Sequence, residues 1–132
     1  MLHRIGFVLL GLLFFSGSSW ADPIVTLRGK PMTLRGETLQ VGQTLPSVRL
    51  PDRGMNRIDL QSLKGNVALV SVVPSLDTPT CDKQTHILSE ENKGLDQVAK
   101  LITISRDLPF AQKRFAKEAK INNVIFLSDY RD

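Results

Sequence analysis

Apolar residues in this chain collect into short β-branched runs, and between the runs they recur every three or four positions. That alternation predicts strands joined by helices, a βαβ rhythm. Val67 to Val73 is almost uninterrupted, so it reads as a strand buried on both faces of a mainly parallel sheet. Leu101 to Ser105 and Val124 to Leu127 read as further buried strands, the latter entered through Asn122-Asn123. Cys81, Thr85, Leu88, Asn92 and Leu95 form a helical stripe facing the sheet. Asp107 and Pro109 open a second helix, with Ala111, Phe115 and Ala119 on one face and Lys117 and Lys120 near the end where cations suit the dipole. Upstream, a polar turn around Asp52-Arg53-Gly54 precedes a short strand from Asn56 to Leu60, and Ser62 to Gly65 leads into the long strand. Thr-Leu-Arg-Gly occurs at Thr26 and again at Thr33, too close for a solenoid, so the copies are expected to be two arms of a hairpin turning at Gly29-Lys30-Pro31.

The chemistry gathers where the first long strand ends. Pro74 stops the strand, Thr78 suits an N-cap, and Pro79 follows at the first helical position, where its missing N–H costs nothing. Cys81, the chain's only cysteine, then falls in the first helical turn, where free backbone N–H groups and the helix dipole favour thiolate over thiol. The alternative reading is a small buried hydrophobe, as many free cysteines are. The polar neighbours Asp77, Thr78, Thr80 and Asp82 weigh against it. Disulfide exchange of the Cys-x-x-Cys type is excluded, because Thr78 holds the first position. A zinc site is excluded by ligand supply, since one Cys and one His remain beyond the N-terminal segment. His86, five residues after Cys81, points well away from the sulfur and reads as solvated rather than as a general base.

Composition changes this picture little. The chain of 132 residues carries 17 Lys+Arg against 13 Asp+Glu. The basic residues are dispersed and aromatics few, so nucleic-acid binding has little support. The N-terminus matters more. Met1-Leu2-His3-Arg4, an apolar stretch from Ile5 to Phe15, and Ser19 and Ala21 at the positions a signal peptidase reads predict a signal peptide over residues 1–21 and one domain over 22–132. The competing reading, an uncleaved membrane anchor, has an apolar run shorter than the ~20 residues a spanning helix needs. A periplasmic or secreted protein without stable membrane association is the expectation.

Pro74, Thr78 and Cys81 resemble the Pro-x-x-x-Thr-x-x-Cys signature of peroxiredoxins, and Pro-Ser-Leu-Asp-Thr-Pro-Thr-Cys is similar to the bacterial thiol peroxidase branch. Ile104 to Phe115 is similar to a second block of that branch, and Val25 to Leu34 to its N-terminal hairpin. The resemblance implies an α/β thioredoxin-like three-layer fold. Two departures accompany it. Many members carry a resolving cysteine where this chain has Ala116, and an activating arginine on a later strand that does not occur before Asp132. Arg106 and Arg114 are the nearest substitutes, but they read as a loop residue and a solvated helix face. Two antiparallel strands and a closing helix of the family are also missing, so the chain reads as C-terminally truncated, its last strand left with an open edge and uncovered apolar surface.

What the resemblance implies is a thiol peroxidase that reduces hydrogen peroxide or a small alkyl hydroperoxide through a sulfenic acid on Cys81. Thr78 would hold sulfur and peroxide by hydrogen bonds, and Pro74 would shield the pocket. No metal, haem or flavin is implied. With Ala116 in place of a thiol, the reductant is an external thiol or a thioredoxin-like domain. A homodimer is left open. The alternatives are a non-catalytic truncated module and a redox sensor acting by intermolecular disulfide. An arginine encoded on a further apolar strand separates the enzyme from the inert module.

Overall fold

A computed structural model describes residues 25–36 and 38–131, so the expected signal peptide lies outside the described residues. The chain divides into two compact units, Met1–Val41 and Gly42–Asp132. The first contains a hairpin of β1 (Thr26–Leu27) and β2 (Lys30–Pro31), with Thr26 opposite Pro31 and Leu27 opposite Lys30. Its turn is Arg28-Gly29, at φ 50° and 76°, not Gly29-Lys30-Pro31. Positive φ at both central residues matches the right-handed twist of a two-residue hairpin, which moves the turn one place back. The second Thr-Leu-Arg-Gly copy therefore lies beyond β2 and is not an arm of the hairpin.

The second unit opens with an antiparallel pair, β3 (Arg49–Pro51) and β4 (Arg57–Asp59). Asp52 ends β3, and its Oδ1 accepts from the N–H groups of Gly54 (2.7 Å) and Asn56 (2.8 Å), which closes the expected polar turn. β4 stops at Asp59 rather than Leu60, because Asp59 Oδ1 accepts from Gln61 N–H and starts the 3-10 turn Leu60–Leu63. There follow β5 (Ala68–Val73), α1 (Pro79–Glu90), β6 (Lys100–Ser105), α2 (Pro109–Glu118) and β7 (Val124–Ser128). β5, β6 and β7 form a parallel sheet in that order, and the register aligns Val73, Ser105 and Ser128 at its carboxyl end.

Alternate side chains of this sheet feed two cores. On the helix side Val73, Leu76, Cys81, Leu101, Ala116, Ile121, Val124 and Phe126 cluster, with Leu88, Leu95 and Phe115 packed against them. On the other side Ile102, Ile104 and Leu127 meet Leu50 of β3 and Leu60. Helices, sheet and the β3–β4 layer give the expected three-layer α/β arrangement.

Further details differ from the sequence reading. β5 is an edge strand, so Val67 (69% exposed) and Val72 (70% exposed) face outward and only Val73 of the strand is buried. Its apolar composition fits an interior strand, but the sheet order leaves one side open. β7 is the other terminal strand of the sheet, as expected at an edge, with Val124, Phe126, Leu127 and Ser128 buried and a single bridge from Asp52 to Leu127. In α2 the buried line is Pro109, Gln112 and Ala116, with Ala111, Phe115 and Ala119 flanking it, a rotation of about 100°. The α1 stripe is correct at Cys81, Thr85 and Leu88, but the helix ends at Glu90, so Leu95 reaches the core from a 3-10 turn, Leu95–Gln97. Among the described residues, no helix is long and apolar enough to cross a membrane.

Candidate active site

Pro74 follows β5 directly and is exposed. Its carbonyl accepts the N–H of Arg106 across the sheet end (3.4 Å), so the strand leaves the sheet at that point. Ser75, Leu76 and Asp77 then turn the chain. Ser75 carbonyl accepts both the N–H (3.2 Å) and the hydroxyl (3.0 Å) of Thr78. Thr78 occupies the N-cap position with extended backbone, φ −94° and ψ 137°, and Pro79 begins α1 as expected. The cap differs in one respect. Thr78 Oγ1 accepts no N–H from the helix; its hydroxyl donates to the Ser75 carbonyl instead.

Two residues on, Cys81 sits in the first turn of α1, 8% exposed, in the helix-side core. Thr85, one turn later and 1% exposed, donates its hydroxyl to the Cys81 carbonyl at 2.8 Å. The thiol thus combines both environments read from the sequence, a helix start and an apolar core. Ala116 lies in the same core, 1% exposed. His86 is turned away from this loop: Nδ1 lies 2.7 Å from Glu90 Oε1, Nε2 lies 3.5 Å from Asp82 Oδ1, and the ring stands edge-on to Phe115. Arg106 and Arg114 are exposed, as expected. Arg114 lines a cleft of about 200 Å³ beside the loop, together with Ser75, Asp77 and Asp107.

Asp107 is the residue that sequence reasoning missed. Read as the opener of α2, it is not that helix's cap, a position held by Leu108. Its Oδ1 accepts from Ser75 Oγ (2.7 Å), and its Oδ2 accepts from Leu76 N–H and Ser105 Oγ (2.7 Å each). Ser128 Oγ donates to the Asp107 carbonyl, and buried Gln112 donates to Ser105 Oγ (3.0 Å) and the Leu127 carbonyl (2.8 Å). The signal that could have found it is the alignment of polar Ser105, Asp107 and Ser128 at the ends of otherwise apolar strands.

Burial pushes the Asp107 carboxyl up, but the donors from Leu76, Ser105 and Ser75 more than offset this and hold it below its ordinary value of 3.8. A carboxyl whose pKa is lower folded than unfolded stabilises the folded chain above the unfolded value, and that stabilisation disappears as the pH falls through the folded value. Calorimetry below pH 3.8 should therefore show a steeper loss of melting temperature in the wild type than in Asp107→Asn. Parallel acid flanks in the two proteins would contradict this.

Known proteins match this arrangement. The Redoxin family matches residues 40–132. A thiol peroxidase of Staphylococcus saprophyticus is 43% identical over 108 residues, which are 82% of this chain and 65% of that protein. The thiol peroxidase of Halalkalibacterium halodurans is 44% identical over 108 residues, 82% of this chain and 64% of that one. This chain therefore spans slightly less than two thirds of those relatives. Among solved structures, a peroxiredoxin-like protein from Aquifex aeolicus superimposes with a TM-score of 0.71 at 36% identity, covering 79% of this chain and 60% of its own. The family match takes in the parallel sheet, both helices and the Pro74–Thr78 loop between β5 and α1, and on that basis the chain belongs to the redoxin family.

Proposed function

We propose that this chain is a thiol peroxidase whose nucleophile is Cys81. The observation that carries the reading is the placement of a single thiol in the first turn of α1, behind Thr78 and Pro79, at the carboxyl end of the sheet. Similarity to proteins named thiol peroxidase supports the reaction class.

In the proposed cycle the Cys81 sulfur attacks one oxygen of hydrogen peroxide or a small alkyl hydroperoxide. The S–O bond forms as the O–O bond breaks, the leaving oxygen takes a proton as water or alcohol, and a sulfenic acid remains. An external thiol then condenses with the sulfenic acid, releasing water and leaving a mixed disulfide. A second thiol group displaces Cys81 and carries away the disulfide. A small dithiol or a thioredoxin-like domain meets this need, because the chain has no other cysteine. Thr78 positions the oxidant: with its proton on Ser75, the hydroxyl accepts from a peroxide O–H, and it donates to the sulfur or to the peroxide oxygen only after turning away. Pro74 shields the pocket, and the low exposure of Cys81 favours small oxidants.

The N-terminal segment supports export to the periplasm or beyond, with cleavage after Ala21. A mature N-terminus at Asp22 in the exported fraction supports this, and an intact Met1 there contradicts it. For the reaction, the test is hydrogen peroxide consumption with a dithiol in excess. Many turnovers per chain support the peroxidase, and a rate no greater than that of the dithiol alone contradicts it.

A further inference from the structure

We propose that Asp107 is a positioning residue for the chemistry of Cys81, acting as the clamp that sets the shape of the Ser75–Thr78 turn; this rests on the peroxidase reading above. The carboxylate stands outside the loop it holds. It reaches across the sheet end from the segment after β6 and receives Ser75 Oγ on one oxygen and Leu76 N–H on the other, each at 2.7 Å. Ser75 relays the restraint in two ways. Its hydroxyl oxygen accepts the Asp77 N–H at 3.1 Å, and its carbonyl takes both donors of Thr78. One continuous set of hydrogen bonds therefore runs from Asp107 through Ser75 to Thr78, the N-cap of α1, three positions before the sulfur.

The clamp is itself anchored. Ser105 Oγ fixes the second oxygen, Gln112 at 0% exposure holds Ser105, and Ser128 holds the Asp107 carbonyl. Asp107 thus fastens the loop after β5 to the ends of β6 and β7, the most buried strands of the sheet. Three donors on one carboxylate make strong charge-assisted bonds, and a backbone N–H among them fixes main chain rather than only side chains. A turn held this way gives Thr78 one orientation, which is what a small oxidant needs to meet the sulfur in line.

The test compares two reagents on the full chain. Hydrogen peroxide needs the organised loop, whereas iodoacetamide needs only access to a reactive thiol. In Asp107→Ala the peroxide rate should fall by about ten- to a hundredfold, while the iodoacetamide rate stays within about threefold of wild type. Asp107→Asn keeps an acceptor for Leu76 and Ser105 and can donate to Ser75, so it should recover the peroxide rate to within about fivefold of wild type. If Asp107→Ala does not fold, Ser75→Ala carries the same comparison, because it removes one arm of the clamp and leaves the sheet anchors in place. Equal losses toward both reagents, or an unchanged peroxide rate in the folded variant, overturn the positioning role alone. A wild-type chain that reacts with peroxide no faster than free cysteine overturns the peroxidase reading and this role with it.

Discussion

Replacing Cys81 by serine should reduce dithiol-dependent peroxide consumption by about a thousandfold or more, to the level of the dithiol alone. A hydroxyl in the same place is a far weaker nucleophile toward an O–O bond, and it yields no product that a thiol can reduce. The fold should survive. Serine is close in size, and Cys81 stands in the first turn of α1, where backbone N–H groups without helical partners can bond the new hydroxyl. The comparison is made on folded protein, verified by circular dichroism, at equal concentration. Residual turnover within tenfold of wild type would assign the activity elsewhere, and with a single cysteine in the chain that would remove thiol chemistry from the account.

Thr78→Val should lower the peroxide rate by about ten- to a thousandfold, the range commonly seen when one positioned polar group is lost from a reacting centre. Valine matches threonine in shape, so Pro79 still begins α1, and the helix loses no side-chain cap because Thr78 makes none. What disappears is the hydroxyl that bonds Ser75 carbonyl at 3.0 Å and that, in the proposed cycle, meets the oxidant. Thr78→Ser restores the hydroxyl and should recover most of the rate. An active valine variant would leave Thr78 as the residue that orients the turn and nothing more.

The elements were legible because each rests on local pattern. Pro74, Thr78 and Pro79 mark the end of β5 and the start of α1 within a few residues, and Cys81 in the first turn follows from their spacing. What failed was information held by neighbours in space. The apolar run of β5 resembles an interior strand, yet Val67 and Val72 are exposed because the order β5, β6, β7 puts that strand at an edge. The hairpin turn was misplaced by one residue because Arg28 adopts φ 50°, a conformation its side chain gives no reason to expect. Asp107 was missed for the same physical cause on a larger scale. Its partners Ser75 and Leu76 are 32 and 31 residues away in sequence, and only parallel pairing of β5 with β6 brings them together. The β3 strand went unread because three residues, Arg49–Pro51, are too few for any periodicity to show.

In the proposed reaction Cys81 reduces peroxide by accepting one of its oxygens. Mass spectrometry of the folded chain after one equivalent of hydrogen peroxide, with dimedone present, tests it most directly. A dimedone adduct on Cys81, with intermolecular dimers at most and no internal bridge, is the predicted result, and excess peroxide without dimedone should carry the same sulfur to the sulfinic acid. An unmodified Cys81 in the folded protein would contradict the account.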